Sequence, residues 1–390
     1  MDKKIKLIRV TTVPISLKVL LRHQLKYMSN YMEVIGISSP GIELKEVEDQ
    51  EGIRTIPVPM TRAITPFQDL KSIWNLYKIL RKERPAIIHS HTPKAGLVAM
   101  IAGRLAGVPV CIHTVAGLPL VEATGVKRRL LIMVEKLIYR FAHKVYPNSS
   151  NQAQFIIETK LAKPSKIKVL GNGSSNGINT DFFARTPELE SKANEIKSKH
   201  QLSKDTFTFV FVGRIVRDKG IHELIDSFVQ IYSVNGSVRL LLVGPFEQSL
   251  DPISEDRLEI LKTHPGIIHY DFQQDVRPFL MAADVLVFPS YREGFPNVPM
   301  QAGALELPQI VTNINGCNEI VEDGKNGLIV TPKSNHNLQT AMERMINDKS
   351  LFEFCKENAR NMIVSRYHQP YFWNIIHQEY NHLLNKTQRV

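Results

Sequence analysis

Two stretches in the second half of the chain carry residues suited to holding an anionic ligand. The first, "FVFVGRIVRDKGIHELIDSF" (209–228), runs from an apolar strand through Gly213 into a turn with Arg214, Lys219 and Gly220, then into a helix. Glycine lets a ligand approach the backbone, and the helix start offers free N–H groups to an anion. Arg214 can grip a diphosphate by a forked contact and Lys219 by a point charge. The plain structural reading is a surface Arg and Lys beside a tight turn, since glycine-rich strand–helix turns are common. The second stretch, "EGFPNVPMQAG" (293–303), sets Glu293 in a loop after the strand "DVLVFPS" (284–290). Asn297 is suited to cap a helix, with Val298 and Pro299 in its first turn and Gln301 one turn in. A carboxylate in such a loop accepts hydrogen bonds from sugar hydroxyls, and a glutamine amide both donates to and accepts from a ribose diol. Without a ligand, Glu293 reads as an exposed loop carboxylate and Gln301 as part of a solvated helix face.

The elements that must position these residues alternate along the whole chain. In the first half the β-rich runs are 5–12, 33–39, 53–58, 86–91, 108–115, 144–149 and 166–171. Between most of them lie helical patterns such as "FQDLKSIWNLYKILRKERP" (67–85), apolar at Leu70, Ile73, Trp74, Tyr77 and Leu80 and stopped by proline. The Gly/Ser/Asn-rich segment 171–191 marks a boundary. The alternation then restarts at 206–213, 238–244, 267–272, 284–290, 308–312 and 326–330. Two consecutive βαβ series predict two doubly wound, Rossmann-like α/β domains facing a central cleft. We expect the first to span 1–183 and the second 184–368, with an amphipathic terminal helix (369–388) packing back on the first. Ligands in such sheets bind outside the carboxyl ends of the strands, where Gly213, Arg214 and Glu293 fall.

Composition narrows the class. The chain has 390 residues, 43% of them hydrophobic and 22% charged, as in a soluble globular protein with room for two cores. Its three cysteines have no metal-ligand spacing and fit a reduced, cytoplasmic setting. The most apolar region is broken by Arg104, glycines and Pro109, and Arg9, Pro14 and Lys18 interrupt any signal-peptide core. Charge is divided unevenly. Residues 1–185 hold 28 Lys and Arg against 13 Asp and Glu, whereas residues 186–390 hold 21 against 25. A basic first half suggests an anionic partner, with a merely soluble surface as the plainer reading.

At these residues a resemblance enters. "GRIVRDKGIHELIDSF" and "PSYREGFPNVPMQAGALELPQIVTNINGCNEIVEDGKNGLIV" resemble the donor-binding domain of family 4 retaining glycosyltransferases, of the GT-B fold. "RVTTVPISLKVLL", "IIHSHTPKAGLVAMIAGRLAGVPVCIHTVAGLPLVEATGVKRRLL" and "VLGNGSSNGINTDFF" are similar to bacterial enzymes that build capsular and other surface polysaccharides. The resemblance implies a nucleotide-sugar donor, most simply a UDP-sugar, and transfer to a hydroxyl with retention of configuration. It gives Arg214 and Lys219 the diphosphate and Glu293 the donor-sugar hydroxyls. The loop Gly294, Phe295, Pro296 and Asn297, with Gly213, would lie against the sugar and phosphate. Gln301 stands where the family's second glutamate binds ribose, so the spacing is kept and the carboxylate is lost. Many family members also carry a histidine in the loop after the strand matching "CIHTV". Ala116 stands there here, and His113, inside the strand, reads as a structural histidine.

The resemblance implies no cofactor and no metal, and no Asp-x-Asp or His/carboxylate cluster at ligand spacing is present in the sequence. The acceptor, a lipid-linked or oligosaccharide chain, is expected on the basic first domain. Its candidates are Thr12 and Ser16 in "TTVPISLK" (11–18), and His91, Thr92 and Lys94 in "HSHTPKAG" (89–96), with turn capping an equal reading for Thr92. The segment 125–144 carries basic residues beside an apolar helical face, which suits either an anionic membrane surface or a core-facing helix. The expected location is cytoplasmic, peripheral on the inner face of the membrane. Alternatives are a non-catalytic nucleotide-sugar binder and a UDP-sugar epimerase of the same architecture. Nucleic acid is not an expected partner, because no zinc-finger spacing or aromatic-basic RNA-binding signature occurs.

Overall fold

The computed structural model describes residues 4–63, 65–121, 123–247 and 251–387, so position 388 of the expected terminal helix lies outside the described residues. The chain divides into two compact units, Met1–Gly177 with Gln369–Val390, and Ile178–His368. Residues 178–183 thus fall in the second unit. There the Ile178 N–H donates to the Tyr367 carbonyl at 2.8 Å, and Phe183 joins the second core.

In the first unit six strands, β1 (Lys6–Val10), β2 (Glu33–Ser38), β3 (Arg54–Pro57), β4 (Ile87–His91), β5 (Val110–Val115) and β6 (Lys144–Pro147), form one parallel sheet in the order β3-β2-β1-β4-β5-β6. In register, Ile8 faces Ile35 on one side and Ile88 on the other. Both faces of the sheet are covered, which is why these strands read as near-continuous apolar runs. Ile8, Val10 and Ile88 share one core with Leu76, Leu80 and Val98 of the helices that follow β3 and β4. Leu7, Ile87 and Ile112 share the other with Phe372, Trp373, Ile376 and Tyr380 of the terminal helix Gln369–Thr387. The expected strand at 166–171 is not formed. Ile167 makes a single bridge to Val145, Leu170 turns into the core, and Gly171 at φ +56 bends the chain away.

In the second unit β7 (Phe207–Val212), β8 (Val238–Val243), β9 (Ile267–Tyr270), β10 (Val285–Phe288), β11 (Gln309–Thr312) and β12 (Gly327–Val330) form a parallel sheet in the order β12-β11-β10-β7-β8-β9. Each sheet reverses its strand order once, between β1 and β4 and between β7 and β10. At such a switch point the following loops diverge to opposite faces and leave a crevice for a ligand.

One helix is rotated from its expected setting. In Pro66–Glu83 the buried positions are Asp69, Ser72, Leu76 and Leu80, while Leu70 is 65% and Trp74 56% exposed. The cause is polar: the Lys94 ammonium draws the Asp69 carboxylate inward at 2.5 Å, and Ser72 Oγ donates to the Pro59 carbonyl outside the helix.

Candidate functional site

The switch point of the second unit gathers the charged residues expected there. After β7 the chain turns at Gly213, passes Arg214, makes a short 3-10 turn (Arg217–Lys219) and enters the helix Ile221–Val234 through Gly220. After β10 it runs through Pro289 and Ser290 to Glu293. The Lys219 ammonium meets Glu293 Oε1 at 2.5 Å, with both side chains about one-sixth exposed (15% and 16%). Ser290, fully buried, donates its hydroxyl to the same carboxylate oxygen at 3.0 Å. The loops are also tied by backbone, the Tyr291 N–H donating to the Asp218 carbonyl at 2.8 Å. Arg292 meets Asp218 at 2.9 Å. Arg214, 46% exposed, pairs with Glu247 in the loop after β8.

The loop 293–297 is braced from below. The Asn315 amide donates to the carbonyls of Glu293 and Gly294, and the Phe295 ring lies edge-on to Tyr367 at 5.5 Å. That leaves the Gly294 and Phe295 N–H groups with no acceptor among the described residues. The helix that follows is Asn297–Ala304, and its cap is Pro296. Asn297 is therefore the first helical residue rather than the cap. Its side chain is exposed, and the helix start is left to other acceptors. Gln301 lies one turn in, half-buried, with no side-chain hydrogen bond among the described residues.

Sequence reasoning missed three residues here: Ser290, Asn315 and Cys317. Cys317 is fully buried, and its thiol is pushed well above its ordinary pKa by burial, with the Glu293 carboxylate adding to the effect and Lys219 opposing it. A polar residue directly after an apolar strand was the available signal for Ser290. Asn315 and Cys317 come from the loop after β11, which nothing in the local pattern links to Glu293. Chemically, the crevice offers two cations, free backbone donors and a helix start to an anion, with a carboxylate beside them. Each of the two cations is matched by a carboxylate, Lys219 by Glu293 and Arg214 by Glu247.

In the first unit the candidates divide. Thr12 and Thr92 come together at the switch point, their hydroxyls 2.7 Å apart, and Thr12 Oγ1 accepts from the Ala95 N–H at 3.2 Å. Thr12 thereby caps the helix Pro93–Leu105. Thr92 holds φ +77, a strained setting for a β-branched residue. Ser16 sits half-buried on the short helix Pro14–Leu20. Lys94 is nearly buried and engaged by Asp69.

His91 is buried and reaches inward instead of outward. Arg9, in the middle of β1 and fully buried, donates to His91 Nε2 at 2.7 Å, to Gln24 Oε1 at 2.6 Å and to Tyr380 Oη at 3.1 Å. A guanidinium only donates, so His91 Nε2 must be the acceptor and its proton sits on Nδ1. That Nδ1–H has no partner among the described residues, and His91 lines a small cavity with Thr114, Asn148 and Ser175. Burial, and after it the nearby Arg9 charge, holds the His91 pKa well below the ordinary imidazole value. His113 lies inside β5 with Nδ1 2.9 Å from Ser90 Oγ, and burial lowers its pKa to about 3.

Among the described residues no group of three or more His, Cys, Asp or Glu is placed to hold a metal ion. No helix among them is long and apolar enough to cross a membrane.

Comparison with known proteins follows the two units. Residues 33–173 match the "Glycosyl transferase 4-like domain" and residues 192–362 match "Glycosyl transferases group 1". The chain is 37% identical over 388 residues to the capsular polysaccharide biosynthesis glycosyltransferase CapM of Staphylococcus aureus, covering 99% of each. It is 31% identical over 324 residues to the UDP-Gal:alpha-D-GlcNAc-diphosphoundecaprenol alpha-1,3-galactosyltransferase of Escherichia coli, covering 81% of this chain and 80% of that one. Among solved structures, Anabaena Alr3699/HepE in complex with UDP superposes with a TM-score of 0.80 at 19% identity, over 96% of this chain and 99% of that one. A glycosyltransferase from Rickettsia africae ESF-5 does so at 0.80 and 20% identity, over 98% and 99%. These relatives do not favour the epimerase or non-catalytic alternatives. With both units matched and a relative above 30% identity covered over 99% of its length, the chain belongs to the group 1, 4-like glycosyl transferases and is a glycosyltransferase of the GT-B fold.

Proposed function

We propose that the crevice between β7 and β10 holds a nucleotide sugar, a UDP-sugar, and that the enzyme transfers the sugar with retention of configuration to a hydroxyl of a lipid-linked or oligosaccharide acceptor. The observation that carries this reading is the meeting of Lys219 and Glu293 at 2.5 Å from the loops of two adjacent strands. One side chain suits a diphosphate and the other suits sugar hydroxyls, so their juxtaposition fits a sugar diphosphate astride them. Arg214 joins Lys219 on the diphosphate, with Gly213 allowing close approach, and the N–H groups of Gly294 and Phe295 add donors from the loop ending at Pro296 and Asn297. Gln301 receives the ribose diol.

In the transfer, the acceptor hydroxyl forms the new bond to the anomeric carbon as the bond to the diphosphate breaks. The departing phosphate oxygen takes the hydroxyl proton on the same face. The enzyme supplies no nucleophile. Arg214 and Lys219 stabilise the charge that develops on the leaving group, and Glu293 holds the sugar in register. No metal is needed on this reading, because the two cations and the backbone donors serve the diphosphate. The acceptor binds the first unit around Thr12, Ser16 and Thr92. The E. coli relative is named for a diphosphoundecaprenol-linked acceptor and the Anabaena structure for bound UDP, which supports the classes chosen here. A lipid-held acceptor and the basic first half together support a peripheral position on the inner face of an anionic membrane.

A panel of nucleotide sugars tests the donor assignment by thermal stabilisation, with the Arg214→Ala and Glu293→Ala variants beside the parent. One UDP-sugar should stabilise selectively and lose its effect in both variants, with a chelator changing nothing. Stabilisation that survives both substitutions would place the donor elsewhere. Radiolabelled transfer to a polyprenyl-diphosphate sugar, followed by anomeric NMR of the product, reads the acceptor class and the stereochemistry.

A further inference from the structure

The rotated helix Pro66–Glu83 leaves Phe67, Leu70 and Trp74 at 89%, 65% and 56% exposure, spaced i, i+3 and i+7 on one side. A soluble α/β unit normally turns such a stripe into its core. Here Asp69, Ser72, Leu76 and Leu80 occupy the inner side. The Trp74 ring is held outward, stacked on Tyr77 at 5.3 Å with the Lys78 ammonium 5.3 Å from its centroid. Lys71, one turn after Phe67 on the same helix, is exposed as well, as is Arg62 in the segment before it.

The helix at the far end of the row it packs in repeats the pattern, while the one between is largely buried. Pro66–Glu83 packs on Pro93–Leu105, which packs on Gly125–Phe141. The last of these exposes Val126 at 81%, Met133 at 61% and Leu137 at 38%, interleaved with exposed Lys127, Arg129, Lys136 and Arg140. The three helices contain only three carboxylates, and none faces solvent freely. Asp69 is held by Lys94, Glu83 by Lys6 and Arg54, and Glu135 is 3% exposed. The row therefore presents apolar and aromatic side chains among cations, with no exposed acid to repel an anionic surface.

We propose that Phe67, Leu70 and Trp74 are an insertion stripe by which the first unit embeds in an anionic lipid bilayer, with the flanking lysines and arginines meeting the headgroups. Aromatic and apolar side chains enter the interfacial layer while the cations stay at headgroup level. The inference rests on the peripheral-membrane reading above and adds the residues that enter the lipid. Basic charge alone would give binding that salt removes, whereas an inserted stripe leaves a part that salt does not remove.

The chain carries its own reporter. It has two tryptophans, and Trp373 is only 8% exposed with its indole N–H bonded to Asn176 Oδ1 at 2.7 Å. Emission changes on lipid binding should come from Trp74. The full-length protein is mixed with vesicles of equimolar phosphatidylglycerol and phosphatidylcholine, and flotation, tryptophan emission and quenching by brominated acyl chains are measured together. The expected result is co-flotation with a blue shift and bromine quenching. Trp74→Phe should abolish the optical signal but still float, and Phe67→Ser with Leu70→Ser should weaken partitioning by at least about tenfold. Flotation without shift or quenching would overturn the stripe and leave the membrane reading standing, whereas no flotation at low salt would remove both. A concentration-dependent shift without lipid, with a dimer in sedimentation that the Phe67→Ser, Leu70→Ser variant disperses, would assign the stripe to a second copy of the chain and overturn the proposal.

Discussion

Replacing Gly220 by alanine probes the contact that brings the two halves of the donor site together. Gly220 stands between Lys219 and the helix Ile221–Val234 at φ +71, and a β-carbon there would overlap the Pro289 carbonyl oxygen and lie 2.8 Å from its carbon. That backbone has little room to retreat, because the next residue, Ser290, is fully buried and its carbonyl accepts from Thr312. Gly324 supplies a matched control in the same unit, with φ +72 and nothing within 4 Å of where a β-carbon would stand. The left-handed conformation costs an alanine about 1–2 kcal/mol. Restricting the unfolded chain offsets about 0.4–1 kcal/mol of that. Gly324→Ala should therefore cost about 1 kcal/mol. Gly220→Ala carries the same term plus the overlap, about 1–3 kcal/mol more, for a total of about 3 kcal/mol. For a unit of this size that is a fall of roughly 6–12 °C in its melting transition, against roughly 2–4 °C for the control. Calorimetry of both variants, with a UDP titration of each, separates the two terms. Only Gly220→Ala should also lose UDP affinity, since the same overlap pushes Lys219 away from Glu293. Two variants melting within a degree of each other, with equal UDP affinity, would refute a rigid approach of the two loops.

Glu247→Gln frees Arg214 from its carboxylate partner, and because exposed pairs are worth about 0.2–1 kcal/mol, UDP should bind about 1.5- to 5-fold tighter by calorimetry. The gain should vanish in an Arg214→Ala background. Gln301→Glu restores a charge-assisted acceptor one turn into the helix Asn297–Ala304, and UDP affinity should rise by about 1 kcal/mol while turnover at saturating donor stays unchanged. The Glu83 carboxyl is held down at about 2, first by its hydrogen bonds to Arg54 and Lys6. A depressed folded pKa contributes stability that is complete above the ordinary value of 4.5 and is lost as pH falls toward 2. Glu83→Gln should accordingly lower stability at neutral pH and flatten its decline between about pH 5 and 2 in urea melts.

The sheets were legible because both faces of each are covered, so strands such as "TFTFVFVG" and "VRLLLVG" announce themselves as apolar runs of the right length. Their ends, and so Gly213, Arg214 and Glu293, followed from the same pattern. What the sequence concealed was decided by polar contacts between distant residues. Asp69 lies on the apolar side of its helix only because Lys94 meets it there, which turned Leu70 and Trp74 outward. Lys94 and His91 read as surface residues after a strand, yet Asp69 and Arg9 hold them inside. Nor does local pattern say that Glu247 faces Arg214 across the turn, or that Asn315 braces the loop of Glu293.

The terminal helix has a consequence for the order in which the molecule is made. Ile178–His368 is one continuous stretch and can close on itself once it has emerged from the ribosome, but the first unit needs Gln369–Thr387. At about 5–20 residues per second, the ribosome delivers that helix roughly 10–40 s after residue 177. During that interval Leu7, Ile87 and Ile112 lack Phe372, Trp373 and Ile376, and the Arg9 guanidinium lacks the Tyr380 hydroxyl. The half encoded first is thus the half completed last. A nascent chain stalled near its end would expose an apolar sheet face with a buried-type cation at its centre, a target for holding chaperones and for degradation.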